Sequence, residues 1–380
     1  MKKRVLFVIF SCFFLSLISQ NLTSNTTGSF TYVPSGALSS KSIKVFYHIP
    51  NGDIKTMPIL MSFHGVNRNA DDYRDYWISM ANTNKFMVFA PEFSDAEFST
   101  GDAYNLANIF DDGDNPSAAT FNSKEKWTFS ILDPLFAQIK TAISGTQQKY
   151  NAWGHSAGAQ FLHRFVMYLP NSNLDVAVCS NAGWYTVPEF SVDFPYGLNK
   201  GQLPTNDLKV AFSKKLIVHL GKEDTNPNDA GLRHNPVVDN QQGLNRFVRG
   251  QYFFTESKAI AQSLNTTFNW EKDEVSGVDH NAQLMANNAL EHVLKSTLSV
   301  DNLDGYSSFF MYPNPVENEL FFDNSKLKIS KIEVFSLEGK LISSFYFHHF
   351  TKNQKIDLFK ISKGIYFLKG KGFIKKFIKE

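Results

Sequence analysis

The segment from Lys149 to Gly158 reads Lys-Tyr-Asn-Ala-Trp-Gly-His-Ser-Ala-Gly, a short apolar run that turns through small residues straight into an amphipathic stretch. In that stretch, Ala157 to Leu169, the residues Phe161, Leu162, Phe165, Val166 and Leu169 share one face, His163 and Arg164 lie off it, and Pro170 stops the pattern. A strand that passes into a helix through so tight a turn needs small side chains on both sides of the corner, and Gly154, Ala157 and Gly158 supply them. This unit commits the chain to an α/β architecture, because a strand that feeds a helix at one end of a sheet builds parallel rather than hairpin pairing.

The rest of the chain up to about residue 300 repeats that alternation. Strands are expected at Ile43 to Ile49, Ile59 to Phe63, Phe86 to Ala90, Tyr150 to Trp153, Leu174 to Cys179, Leu216 to Leu220 and Phe268 to Val275, with helical patterns between them. The expected fold is a mostly parallel sheet flanked by helices. Two long connections interrupt it, Phe93 to about Lys126 and Trp184 to about Ser213. The first contains Asp111-Asp112-Gly113-Asp114-Asn115, which has calcium-like composition but lacks the ligand ladder and terminal Glu of an EF-hand loop, so it reads as a solvated turn. The second carries Tyr185, Phe190, Phe194 and Tyr196 and reads equally as a lid over a cleft or as an excursion that packs its aromatics inward.

The corner at Gly154-His155-Ser156-Ala157-Gly158 fits the G-x-S-x-G nucleophile elbow, with Ser156 as the candidate nucleophile. A serine is inert without a base and an oriented acid, and in this arrangement they follow in the order Ser, acid, His, each beyond a strand end. The run Leu216 to Leu220 leads into Gly221-Lys222-Glu223-Asp224-Thr225, where Asp224 resembles the acid of the G-x-x-D-T pattern common after this strand and is the expected acid, with Glu223 its rival. Of the later histidines, His280 follows a strand on the loop Ser276 to Asp279, ahead of a helix. His234 precedes any further strand, His292 falls within a helical pattern, and His348 and His349 lie far downstream. The expected triad is Ser156, Asp224 and His280, with no cofactor and no metal. Backbone donors for an oxyanion are expected from Ala157 and from Val66 or Gly65, the choice between the last two being open. His64, Trp184 and Tyr185 are candidates for lining a substrate cleft.

The ends of the chain differ in texture. Met1-Lys2-Lys3-Arg4 followed by the apolar run Val5 to Ile18 reads as a signal peptide over residues 1–19, too short for a spanning helix. Its removal leaves Cys179 without a partner for a disulfide, so stability has to come from the core. A catalytic domain is expected over 20–298, a linker over 299–308, and a small β-sandwich over 309–380, where Lys-rich and Phe-rich runs are punctuated by Gly339, Gly364 and Gly370. The tail is basic and the middle acidic, yet the whole carries a formal charge of only +2, which argues against nucleic acid as a partner.

Taken together, His64-Gly65, Gly154 to Gly158, Asp224 and His280 resemble the α/β-hydrolase superfamily over about residues 43 to 297. Phe63-His64-Gly65 with Arg68-Asn69-Ala70, Gly154 to Phe161, and Asn181-Ala182-Gly183-Trp184-Tyr185 resemble secreted bacterial hydrolases related to poly(3-hydroxybutyrate) depolymerases and feruloyl esterases. That likeness implies hydrolysis of a carboxylic ester, whether a small ester, a polyester or a glycan ester, with a serine peptidase or a non-catalytic binding protein on the same scaffold as alternatives. The tail resembles the C-terminal sorting domain of Bacteroidetes type IX secretion. Its matching residues are Tyr312-Pro313-Asn314-Pro315, Val334 to Lys340, Ile356-Asp357-Leu358 and Ser362 to Tyr366. This implies the type IX secretion machinery as a partner and a final place outside the cell or on its surface. A carbohydrate-binding sandwich is the alternative, disfavoured because Phe spacing in the tail suits a buried core and Trp is missing from it.

Overall fold

The computed structural model describes residues 22–295, 311–325, 328–337, 339–370 and 373–380. The signal-peptide and linker expectations fall outside them. The chain divides into two compact units, Met1–Ser296 and Thr297–Glu380. No helix among the described residues is long and apolar enough to cross a membrane.

The first unit is built on one eight-stranded sheet. Its strands are β1 (Thr26–Tyr32), β2 (Ile43–Ile49), β3 (Ile59–Phe63), β4 (Met87–Glu92), β5 (Tyr150–His155), β6 (Leu174–Ser180), β7 (Lys215–Gly221) and β8 (Glu271–Val275). They lie in the order β1-β2-β4-β3-β5-β6-β7-β8; β1, β2 and β4 pair antiparallel, and every pair from β4 to β8 is parallel. The central strands β3 and β5 are buried at every position, as parallel strands covered on both faces must be.

Nine α-helices follow in chain order among the described residues: α1 (Ala70–Asp75), α2 (Ile78–Asn84), α3 (Thr100–Ala103), α4 (Leu132–Ile143), α5 (Ala157–Tyr168), α6 (Thr205–Phe212), α7 (Pro236–Gln242), α8 (Arg246–Ser263) and α9 (Ala282–Lys295). Trp77, Ala81, Met285, Ala286 and Ala289 of α1, α2 and α9 and their flanks close a core with Val88, Trp153, Val178 and Ile217 on one sheet face. The larger core on the other face gathers Leu135, Phe161, Phe165, Leu208 and Phe253 from α4, α5, α6 and α8.

Three features depart from expectation. Strand β1 was not foreseen: Thr-Thr-Gly-Ser-Phe-Thr-Tyr is largely polar because it is an edge strand that buries only Phe30 and Tyr32. Strand β8 starts at Glu271 rather than Phe268, the other edge of the sheet; Trp270 is buried and Phe268 packs beside it, their ring centroids 5.7 Å apart. Helix α5 has no solvent face. His163 and Arg164 are fully buried because the long connections fold over that side. The Arg164 guanidinium donates to Thr186 Oγ1 (2.7 Å), Gln160 O (2.8 Å) and Asn105 O (3.2 Å), and stacks 4.2 Å over the Trp184 ring. Tyr185, Phe194 and Tyr196 are likewise buried, so the 184–213 connection packs its aromatics inward; Phe190 remains exposed.

The second unit has a three-stranded sheet, β9 (Met311–Tyr312), β10 (Glu319–Phe322) and β13 (Gln354–Asp357), and a four-stranded one, β11 (Lys331–Ser336), β12 (Leu341–Tyr346), β14 (Gly364–Gly370) and β15 (Phe373–Lys379). All pairings within them are antiparallel. Leu320, Phe322, Ile332, Val334, Ile356, Leu368 and Phe377 fill one core between the sheets.

Phe161 sits at the centre of an aromatic cluster, with ring centroids 5.3 Å from Phe63, 5.3 Å from Phe93, 5.4 Å from Tyr104 and 4.9 Å from Phe129. Phe161→Ala is expected to cost about 3–5 kcal/mol in denaturant unfolding of the full chain, and Phe161→Leu markedly less.

Candidate active site

At the β5–α5 corner Ser156 has φ 57° and ψ −116°, a conformation outside the regions that L-residues ordinarily occupy. Its amide donates to Ser180 O at 3.0 Å, fixing the corner against β6. The neighbours leave no room for larger residues. A Cβ on Gly158 would lie 2.2 Å from Phe63 O, and one on Gly154 would lie 2.4 Å from Gly158 O, both contacts with backbone. Close approach of α5 to β3 and β5 thus depends on these two glycines.

Beyond β7, Asp224 is buried whereas Glu223 is exposed. The Asp224 carboxylate takes a hydrogen bond from His280 Nδ1 at 2.7 Å through Oδ2 and one from the Arg246 guanidinium at 3.2 Å through Oδ1. Arg246 also reaches Asp229 at 2.6 Å. The loop that carries His280 is held against the end of β7, where a Cβ on Gly221 would meet Val278 O at 2.5 Å. Asn181 ties the two together: its Oδ1 accepts from the Gly221 amide at 2.7 Å and its Nδ2 donates to Asp279 O at 2.8 Å. Arg246 and Asp229 had no role in the sequence reading, and Asn181 entered it only as part of the run Asn181 to Tyr185 that resembles secreted hydrolases. An Arg at a helix start and an Asn after a strand carry no distinctive local pattern.

A cavity of about 540 Å³ brings several of these residues together; Gly65, Val66, Tyr73, His155, Ser156 and His280 are among those lining it, as is Arg246. This is the size of a pocket for a small organic group. Ala157 is buried as the first residue of α5. Gly65 lies close to the serine, a Cβ there standing 3.6 Å from Ser156 Cβ, and its amide faces the Tyr73 hydroxyl. That hydroxyl pairs with His155 Nδ1 at 3.1 Å, and the His155 ring lies 4.5 Å from that of His280.

The other cleft candidates lie elsewhere. His64 is fully buried; its Nδ1 donates to Gly65 O at 2.9 Å and its Nε2 accepts from the Phe93 amide at 3.0 Å, so it shapes the turn after β3. Trp184 is held between the guanidinium groups of Arg164 and Arg233, and Tyr185 stacks on Phe253 with centroids 4.4 Å apart. None of the three lines the cavity. In the acidic turn, Asp112 accepts from the Asp114 and Asn115 amides, Asp111 pairs with Asn122 and Asp114 pairs with Arg233.

Comparison with known proteins finds relatives of both units. Residues 310–380 match the secretion system C-terminal sorting domain. The structure of poly(aspartic acid) hydrolase-1 from Sphingomonas sp. KT-1 is similar at 35% identity, covering 71% of this chain and 99% of that one with a TM-score of 0.67. That of the poly(3-hydroxybutyrate) depolymerase LpqC from Bordetella parapertussis is similar at 26% identity, covering 72% and 92% with a TM-score of 0.66. No curated protein sequence matches. The chain belongs to the α/β-hydrolase family of these two enzymes. It also carries a sorting domain that directs it through type IX secretion to the cell surface or beyond.

Burial lowers the His64 imidazole to about 3 and holds His155 and His163 well below the ordinary histidine value of 6.5. On unfolding, each ring binds a proton as the pH falls through about 6.5, while the folded ring stays neutral, so stability is lost progressively from that point downward. Each contributes up to about 1.4 kcal/mol per pH unit. The melting temperature of the full chain is therefore expected to fall steeply between about pH 6 and 4, and His163→Gln to make that fall shallower.

Proposed function

We propose that the first unit is an extracellular serine hydrolase in which Ser156 is the nucleophile, His280 the general base and Asp224 the acid that orients it. The observation that carries this reading is the 2.7 Å hydrogen bond from His280 Nδ1 to the buried Asp224, opening onto the same cavity as the strained Ser156. With Nδ1 committed to the carboxylate, the imidazole carries its free lone pair on Nε2, the atom that takes the Ser156 proton. Ser156 Oγ then attacks the substrate carbonyl carbon. The tetrahedral oxyanion is held by the amides of Ala157 and Val66; Val66 is preferred over Gly65 because the Gly65 amide faces the Tyr73 hydroxyl. Return of the proton from His280 to the leaving group breaks the carbonyl–heteroatom bond and leaves an acyl-enzyme. Water, deprotonated by the same imidazole, cleaves it.

The leading substrate class is a carboxylic ester, in keeping with the likeness to a poly(3-hydroxybutyrate) depolymerase. A second reading, hydrolysis of an amide, is favoured by the 35% identity to a poly(aspartic acid) hydrolase, since that polymer is a polyamide. Both reactions use the same residues. Release of acid from poly(3-hydroxybutyrate), feruloyl esters, acetylated xylan, short acyl esters and poly(aspartic acid) separates them, turnover of the last alone selecting the amide reading.

Ser156→Ala and His280→Ala are each expected to lower kcat by roughly 10⁴–10⁶-fold, and their combination to do little more, because the residues act as a unit. Asp224→Asn is expected to cost on the order of 10³–10⁴-fold, and Glu223→Gln less than about tenfold, as its side chain is exposed. Loss of turnover in Glu223→Gln with retention in Asp224→Asn would overturn the acid assignment.

A further inference from the structure

On the sheet face covered by α9, away from the loops already described, three potential metal ligands converge from three elements. His219 on β7 and Asp273 on β8 are partners in the parallel register, so their side chains stand side by side, and His292 projects from α9. Their ligand atoms all lie within 4.8 Å of one another, and this is the one such His/Cys/Asp/Glu cluster among the described residues. His219 Nε2 stands 3.8 Å from Asp273 Oδ2, too far for a hydrogen bond, and His292 Nε2 stands 2.7 Å from the same oxygen.

The surroundings make this set hard to explain as packing alone. Apart from Ser180, the side chains nearest them on that face include the apolar Ile217 and Val275 on the two strands and Ala289 and Val293 on the helix. His219 is fully buried, His292 nearly so, and each retains one ring nitrogen without a hydrogen-bond partner, Nε2 in His219 and Nδ1 in His292. An unpaired imidazole nitrogen in such a layer costs free energy that a partner would recover. The missing partner at His219 Nε2 faces a carboxylate and a second imidazole, which is the setting of a cation.

We propose that His219, Asp273 and His292 bind one divalent transition-metal ion of the zinc type. Two imidazoles and one carboxylate are the donors such an ion prefers, whereas calcium and magnesium take oxygen ligands. Donors about 2.0–2.1 Å from one tetrahedral ion stand roughly 3.3 Å apart, between the 2.7 Å and 3.8 Å that separate Asp273 Oδ2 from His292 Nε2 and His219 Nε2. His219 also has the supporting contact expected of a ligand: its Nδ1 lies 2.8 Å from Ser180 Oγ, which itself accepts from Trp153 Nε1 at 2.8 Å and has a second lone pair for the ring N–H. Asp273 is about one-third exposed and leaves the fourth position open to water. The ion would join β7, β8 and α9. Asp224 follows β7, and His280 lies between β8 and α9, so the ion fastens the supports of both without entering the chemistry.

The test uses untagged full-length protein stripped with a chelator and dialysed. Isothermal titration with Zn²⁺ is expected to give one site per chain, and a saturating excess to raise the melting temperature by roughly 5–10 °C. Co²⁺ is expected to bind with visible d–d bands characteristic of four or five ligands that include nitrogen. In Asp273→Asn and in His292→Gln the Zn²⁺-dependent melting shift is expected to vanish, whatever either change does to the metal-free melting temperature. Absence of Zn²⁺ binding to the wild-type chain would overturn the proposal. So would a shift that survives in both variants, since the ion would then sit elsewhere, for example at His348 and His349. Should one variant fail to fold, the Co²⁺ spectrum of the wild type decides: octahedral, weakly absorbing Co²⁺ would contradict the four- or five-ligand site proposed. None of these readouts depends on the catalytic reading.

Discussion

The close approach of α5 to the centre of the sheet is the constraint on which the remaining structure depends. It exists only because Gly154 and Gly158 lack side chains, and it forces Ser156 into a positive-φ conformation at the carboxyl end of β5. Such strain persists only where the surroundings over-determine it. Here the Ser156 amide is bonded to β6 and the helix beyond is buried on all sides, so the corner cannot relax without unpacking the core. The serine is thereby held at the cavity edge while its neighbours are locked beneath it.

A second consequence is electrostatic. Burying α5 entirely encloses one arginine and one histidine, Arg164 and His163, and the chain answers with hydrogen bonds rather than counter-charges. Arg164 is held through Nε and Nη1 by a threonine hydroxyl and two carbonyls and lies over the Trp184 ring, its Nη2 has no hydrogen-bond partner, and burial lowers the guanidinium to about 9. Around the carboxylate Asp224, by contrast, both oxygens are claimed, one by His280 and the other by Arg246, which is itself bridged to Asp229. An imidazole paired this way has a fixed tautomer and a fixed orientation, which is what a general base at Ser156 would require.

Much of this was legible in the sequence because the signals were local. The strand–turn–helix around Ser156 is written in ten consecutive residues, and the buried strands β3, β5, β6 and β7 are near-continuous apolar runs. The order of serine, acid and histidine selected Asp224 and His280, which the fold brings to hydrogen-bonding distance. What escaped was decided by distant contacts. Strand β1 is polar because it is an edge, the polar side of α5 is buried because two long connections cover it, and Arg246, Asp229 and Asn181 acquire meaning only through residues 17 to 98 positions away. Trp184 and Tyr185 follow a strand as cleft residues would, yet the arginines and Phe253 around them draw them inward.

The central claim is that Ser156 is a nucleophile activated by His280, and covalent labelling tests it most directly. Full-length protein is treated with a fluorophosphonate, and the modified peptide is mapped by mass spectrometry. The account predicts a single phosphonyl adduct on Ser156, formed rapidly in the wild type, strongly slowed in His280→Ala and absent in Ser156→Ala. Adduct formation on another residue, or labelling of Ser156 at an unchanged rate without His280, would contradict it.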